Sequence, residues 1–282
     1  MAPWSDRQGR FSPLRLFALF AVIAPGALLA LALAAGALGG NALKTATHET
    51  GTWAIRLLLL TLAVTPLMRL ARWPRPIILR RLLGLAAFFY VAAHFGLYIA
   101  DHSGDLIKVA SEIVKRFYLL IGFIAVLGLS ALAATSFDRA IKAMGSSNWR
   151  RLHQASYVLT ALGVWHFFIQ SKLDVTEPTL MAGFFLWLMG ARALMAFGPG
   201  LTPATLAGLA VAASAATAAL EIGWFAATST LPLGPIWAMN FNFSYSIRPM
   251  WWVLAVGLAL AAIAALRSAR AGAGRARKRA AA

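Results

Sequence analysis

The 282-residue sequence contains no cysteine and few charged residues. The absence of cysteine excludes disulfides, thiolate metal sites and cysteine-ligated iron–sulfur clusters. Charged residues make up 12% of the chain, against roughly 25% in soluble domains, while hydrophobic residues make up 60%. This composition excludes an ordinary soluble domain and indicates a polytopic membrane protein. Any redox centre must then depend on histidine or bind without covalent protein ligands.

Basic residues, which give a formal net charge of +17, fall between long apolar runs. This placement is typical of membrane topology signals and argues against nucleic-acid binding. The first run is longer than the core of a signal peptide, about 7–15 residues, so it predicts an uncleaved first span. The runs predict an all-α protein with eight membrane spans, at residues 16–38, 53–68, 82–100, 117–135, 151–169, 178–197, 204–226 and 250–266.

The eight spans divide the chain into four predicted parts. Residues 1–15 form an N-terminal tail, 16–197 a six-span core, 198–266 two additional spans, and 267–282 a basic tail. With this topology 19 Lys and Arg residues fall on one side of the membrane and 7 on the other. The positive-inside rule then predicts that both termini are cytoplasmic.

Three histidines within the apolar spans are the candidate functional residues: His94, His153 and His166. Ionisable side chains are costly inside a bilayer and are usually retained for chemistry or transport. His94 lies 13 residues after Arg81, and His166 lies 13 residues after His153, so each is roughly 20 Å from the cytoplasmic edge. The pair is therefore predicted to face each other at one level, as the two axial ligands of a six-coordinate haem do.

The remaining histidines are harder to place. His153 lies about 140° from His166 around an ideal helix, so the two do not share a face. It is a candidate ligand of a second haem with an unknown partner, a neighbour of a flavin or a haem propionate, or a histidine hydrogen-bonded among the headgroups. His48 and His102 are predicted to lie in exterior loops. Gly163 and Gly96, close to the candidate ligands, either make room for a flat macrocycle or serve helix packing.

Four segments carry a resemblance to a known family. They are TGTWAIRLLLLTLAVTPLMRL (50–70), RRLLGLAAFFYVAAHFGLYI (80–99), KRFYLLIGFIAVLGLSALAATS (115–136) and WRRLHQASYVLTALGVWHFF (149–168). Their order and spacing resemble the MsrQ (YedZ) family, the haem-binding membrane subunits of the bacterial periplasmic methionine sulfoxide reductase system, within the ferric-reductase-like transmembrane superfamily. The resemblance covers about residues 10–197.

The resemblance implies an inner-membrane electron-transfer subunit with b-type haem and FMN. Electrons would come from a cytoplasmic flavin reductase or from quinone, and would pass to a periplasmic molybdopterin subunit that reduces methionine sulfoxide in proteins. It further implies that His94, His153 and His166 occupy the family's histidine positions. The rival hypotheses are a stand-alone transmembrane ferric reductase, a haem-free transporter whose histidines relay protons, and a passive membrane anchor.

Overall fold

The computed structural model describes residues 9–172, 174–244 and 246–280. Every regular element in these ranges is helical, as the sequence predicts. The helices are α1 (Pro13–Ala34), α2 (Ala42–Ala71), α3 (Leu79–Asp101), α4 (Leu106–Lys115), α5 (Phe117–Ala134), α6 (Asp138–Met144), α7 (Ser146–His153), α8 (Ala155–Ser171), α9 (Thr176–Phe197), α10 (Pro203–Thr228), α11 (Leu233–Met239) and α12 (Pro249–Ala280), with a 3-10 turn at Arg75–Ile78.

Seven of the described helices are long and apolar enough to cross a membrane: α1, α2, α3, α5, α9, α10 and α12. The predicted fifth span, 151–169, is divided at Gln154 into α7 and α8. With 17 residues, α8 lies at the lower limit of about 17–25 residues for a membrane-spanning helix. The chain is thus an all-α, multi-pass membrane protein.

Two predicted loops are helical in the structure. The second span was expected to begin at residue 53, but α2 begins at Ala42 and continues through Thr47 and Thr50, whose hydroxyls each bond a carbonyl of their own helix at 2.8 Å. The segment between the predicted spans 82–100 and 117–135 contains α4, in which the Asp105 carboxylate accepts a hydrogen bond from Lys108 N. α4 forms because Val109 and Ile113 provide an apolar face that becomes buried.

The ends of the chain are only partly described. Residues 1–8 of the predicted tail 1–15 lie outside the described residues, and α1 begins at Pro13, capped by Ser12. The predicted basic tail 267–282 continues α12 as far as Ala280, and residues 281–282 again lie outside the description. The segment 227–249, between the predicted spans 204–226 and 250–266, contains the short helix α11.

The chain divides into two compact units. The first contains α1, most of α2, and α3 to α8 as far as Gln170. Its core is apolar and includes Leu57, Leu58, Ala87, Leu129 and Leu159. Both histidines of the predicted axial pair belong to this unit.

The second unit contains residues 65–74 and the chain from Ser171 onwards, with α9 to α12. Its helices approach closely at Gly183, Gly190 and Gly257, where an added Cβ would collide with a neighbouring helix. An ion pair between Glu221 and Arg248 is buried within it. The two C-terminal helices therefore belong to a packed unit with its own polar interior.

Candidate functional site

The structure brings His94 on α3 and His166 on α8 together. Their imidazole rings have centroids 6.3 Å apart, and the ring planes are nearly perpendicular, at 88°. The equal spacing of the two histidines from the starts of their spans predicts this proximity. The site is consequently assembled from two helices that are distant in sequence.

Hydrogen bonds assign the same tautomer to both rings. Nδ1 of His94 lies 2.7 Å from the carbonyl oxygen of Thr47, and Nδ1 of His166 lies 2.7 Å from that of Tyr118. A carbonyl oxygen only accepts, so each Nδ1 carries the proton and donates it. In a neutral imidazole the other nitrogen, Nε2, then keeps its lone pair. The pair thus offers two Nε2 lone pairs, each backed by the Nδ1 hydrogen bond that is usual for histidine ligands.

The ring separation matches the span of one metal ion. A metal–nitrogen bond is about 2.0–2.1 Å, and ring bonds of about 1.33 Å put a ring nitrogen about 1.1 Å from the imidazole centre. Two imidazoles on opposite sides of one iron would therefore have centroids about 6.3 Å apart, the separation between His94 and His166. Among the described residues, no group of three or more His, Asp or Glu side chains forms a metal site.

A cavity of about 1110 Å³, including its open part, surrounds the pair. Most of the lining is apolar and includes Ile55, Leu58, Val91, Leu129 and Leu159. Asp and Glu are absent from the described residues that line it.

Polar lining residues gather at one end of the cavity, where α4 connects α3 to α5. His48 precedes Gly51 by three residues on α2, Tyr98 follows His94 by one turn on α3, and Gln170 follows His166 by one turn on α8.

At the same end the Tyr118 hydroxyl and the Glu112 carboxylate raise the pKa of Arg116, which remains a cation. The cavity is thus apolar along most of its length and polar at the α4 end, a distribution that suits an amphiphilic cofactor.

The prediction that His48 lies in a loop is wrong. His48 lies on α2 and lines the cavity, because the helix begins eleven residues earlier than expected. His102 follows the last residue of α3, where its Nδ1 lies 3.0 Å from the carbonyl oxygen of Tyr98. It does not belong to the described lining of the cavity. The structure therefore adds one histidine to the site and leaves the other at a helix end.

His153, at the end of α7, is separate from the cavity that His94 and His166 line. Its ring stacks on Trp149 with centroids 4.0 Å apart. Its Nδ1 lies 3.1 Å from the Trp149 carbonyl oxygen, and its Nε2 lies 3.3 Å from Oγ of Ser136. Both ring nitrogens are thus engaged by the protein.

Glycine residues next to the histidines differ from those expected. An added Cβ at Gly96 would meet nothing within 4 Å, and one at Gly163 would meet Ile55 Cδ1 at 2.8 Å. The two glycines that contact the histidine rings are Gly51 on α2 and Gly122 on α5. Sequence reasoning missed them, since a single glycine in an apolar helix most often serves helix packing.

The chain matches a known protein family and several relatives that share one name. Residues 50–164 match the family described as "Ferric reductase like transmembrane component". The chain is 37% identical over 180 residues to the "Protein-methionine-sulfoxide reductase heme-binding subunit MsrQ" of Herminiimonas arsenicoxydans, covering 63% of this chain and 83% of the relative. It is 42% identical over 179 residues to the protein of the same name from Xanthomonas campestris pv. campestris strain 8004, covering 61% and 82%. No solved structure matches the chain.

Proposed function

Because the chain belongs to the MsrQ family of protein-methionine-sulfoxide reductase heme-binding subunits, we propose that it binds b-type haem in its first unit and carries electrons across the bacterial inner membrane. The axial ligands are His94 and His166. The observation that carries the proposal is the pair of Nδ1 hydrogen bonds, at 2.7 Å each, which leaves an Nε2 lone pair on each of two rings whose centroids are 6.3 Å apart.

The chemistry of the site fits electron transfer better than reaction with oxygen. When bound, the iron supplies one-electron chemistry by cycling between its ferric and ferrous states. Two histidine ligands leave no coordination position open for oxygen or substrate. The apolar walls keep water from the iron, and the polar residues at the α4 end suit the propionates. Tyr98, Gln170 and His48 line the cavity and can hydrogen-bond carboxylates, and Arg116, which is ion-paired with Glu112, donates to the hydroxyl of the lining residue Tyr118.

The route of the electrons follows from the family resemblance. We propose entry from a cytoplasmic flavin reductase or quinone, with FMN as a second cofactor, and exit to a periplasmic molybdopterin subunit that reduces methionine sulfoxide in proteins. The relatives' name supports a role with a methionine sulfoxide reductase. Only the family resemblance supports the presence of FMN. Flavin fluorescence of an acid extract of the purified protein tests for it.

His153 is proposed as a contact for a cofactor on the other side of the first unit, as a haem ligand or beside a flavin or a propionate. The guanidinium of Arg80 acts on the imidazole electrostatically, which supports a contact with an anionic group. Ligation would require the Ser136 hydroxyl to release Nε2. The alternative is that His153 contacts no cofactor and is held by its hydrogen bonds to Trp149 and Ser136.

A proton-relay transporter remains the alternative from another class. Such a relay commonly pairs histidines with carboxylates inside the membrane. The described cavity lining contains neither Asp nor Glu, and Glu221 is paired with Arg248 in the second unit. The alternative of a stand-alone ferric reductase shares the haem site and differs in the electron acceptor.

Reduced-minus-oxidised visible spectra of the detergent-purified chain test the proposal. We expect sharp b-type bands in the wild type and in His102→Ala, since His102 lies outside the described cavity lining. His94→Ala and His166→Ala should each lose the six-coordinate low-spin spectrum, because each removes one axial ligand. A colourless wild-type protein from haem-replete cells would contradict the proposal and favour the transporter.

A further inference from the structure

His94 and His166 are held by the same backbone arrangement on two different helices. His94 donates Nδ1–H to the carbonyl of Thr47, and the residue four positions later on α2 is Gly51. His166 donates Nδ1–H to the carbonyl of Tyr118, and the residue four positions later on α5 is Gly122. Each imidazole therefore approaches a helix at a carbonyl that is followed, one turn later, by glycine.

Glycine is required at these positions by the space that each imidazole occupies. In an α-helix the carbonyl of residue i faces the N–H of residue i+4, so a second donor to that carbonyl passes beside the Cβ of residue i+4. A Cβ at position 51 would lie 2.8 Å from His94 Nδ1, and one at position 122 would lie 2.9 Å from His166 Nδ1. Both distances are too short for van der Waals contact, so the ring would have to move away from its carbonyl.

A third copy of the arrangement holds a residue that is not a ligand. The hydroxyl of Tyr90 on α3 donates to the carbonyl of Val22 on α1 at 2.9 Å. The residue four positions after Val22 is Gly26, where an added Cβ would lie 2.9 Å from the Tyr90 hydroxyl oxygen. The geometry is the same, but the group that it holds is not an imidazole. The chain thus supplies an internal control for the two histidine sites.

We propose that Gly51 and Gly122 are positioning residues that fix the orientation of the two axial imidazoles and thereby lower the reduction potential of the iron. This inference rests on the proposed haem ligation. A hydrogen bond from Nδ1 to a carbonyl makes the imidazole a stronger electron donor through Nε2, which favours the ferric state. Hydrogen bonding around the ligands is one of the factors by which a protein sets a haem potential. Two small residues thus determine how well the hydrogen bonds form at both ligands.

The test compares Gly51→Ala and Gly122→Ala with two control variants. Gly26→Ala crowds Tyr90 in the same geometry, and Gly190→Ala crowds Leu209 in the second unit, which contributes no described residue to the lining of the cavity. Haem content, midpoint potential and the ferric low-spin electron paramagnetic resonance spectrum are measured for each purified protein. We expect both histidine-site variants to shift the midpoint potential upward, to change the low-spin signal and to bind haem about tenfold or more weakly. The controls should keep the wild-type potential and signal.

A second measurement separates positioning from general damage to the helix packing. In a His166→Gly background, added imidazole can bind the iron without a tether to α8. If Gly122 acts through the orientation of His166, then Gly122→Ala should change the potential in this background by much less than it does in the wild type.

Three results would overturn the inference: a wild-type potential and signal in both histidine-site variants, an equal change in Gly26→Ala or Gly190→Ala, or a full effect of Gly122→Ala in the imidazole-rescued background. A wild-type protein without haem would instead overturn the proposed function. A wild-type protein that binds haem while its glycine variants behave normally would overturn this inference alone.

Discussion

The imidazole rings of His94 and His166 have nearly perpendicular planes, at 88°, with centroids 6.3 Å apart. Each orientation is fixed by a hydrogen bond to a backbone carbonyl on a neighbouring helix, α2 for His94 and α5 for His166. The relative rotation of the rings is therefore a property of the packing of four helices. That rotation has a direct spectroscopic consequence.

The ferric haem should give a highly anisotropic low-spin signal in electron paramagnetic resonance. Perpendicular axial imidazoles leave two of the iron d orbitals nearly equal in energy, which increases the anisotropy, whereas parallel imidazoles separate them. Frozen-solution spectra of the oxidised wild-type protein measure this. An ordinary rhombic low-spin spectrum, typical of parallel imidazoles, would show that the rings rotate on binding iron.

Replacing His48 with leucine should weaken haem retention several-fold while the low-spin spectrum persists. His48 lies at the polar end of the cavity on α2, where its imidazole can hydrogen-bond a propionate, but it is not an axial ligand. Transfer of haem to apomyoglobin measures the retention. His102→Leu is the matched control, because His102 lies at the end of α3 outside the described lining. Equal retention in both variants would show that the propionates do not contact His48.

The sequence was sufficient to predict the pairing of His94 with His166, because residue spacing along two helices determines depth. It was insufficient for His48, since a run such as THETGT (47–52) looks polar when side-chain bonds to the helix backbone are not considered. Thr47 and Thr50 satisfy their hydroxyls within α2, and the helix continues through them. The start of a membrane helix is thus poorly predicted by hydropathy where threonine is frequent.

The choice of glycines could not be predicted for a different reason. Gly96 lies close to His94 in sequence but faces open space, whereas Gly51 contacts the His94 ring from another helix. Which glycine meets which histidine depends on the rotation of each helix about its axis, and packing determines that rotation. A single sequence does not specify it.

His153→Gln should retain the low-spin signal and the midpoint potential of the haem between His94 and His166. His153 lies outside the described lining of that cavity, and its nitrogens bond to Trp149 and Ser136. Quantitative haem analysis of the variant also tests the proposal that His153 is a ligand of another haem. A lower ratio of haem to protein, with the perpendicular-imidazole signal intact, would indicate a second haem at His153. Loss of that signal would contradict the separation of the two sites.

Glu221→Leu should destabilise the second unit without removing haem from the first. Glu221 is 1% exposed and forms an ion pair with Arg248, so its removal leaves a buried, uncompensated cation. Breaking a buried pair in this way costs about 3–5 kcal/mol, whereas replacing both partners with apolar residues is often neutral. Thermal unfolding in detergent should therefore show a lower midpoint for Glu221→Leu and recovery in Glu221→Leu/Arg248→Met.

Haem content should stay at the wild-type level in both variants, since every described residue lining the cavity belongs to the first unit. Loss of haem from the double variant would show that the pair contributes to haem binding beyond its effect on stability.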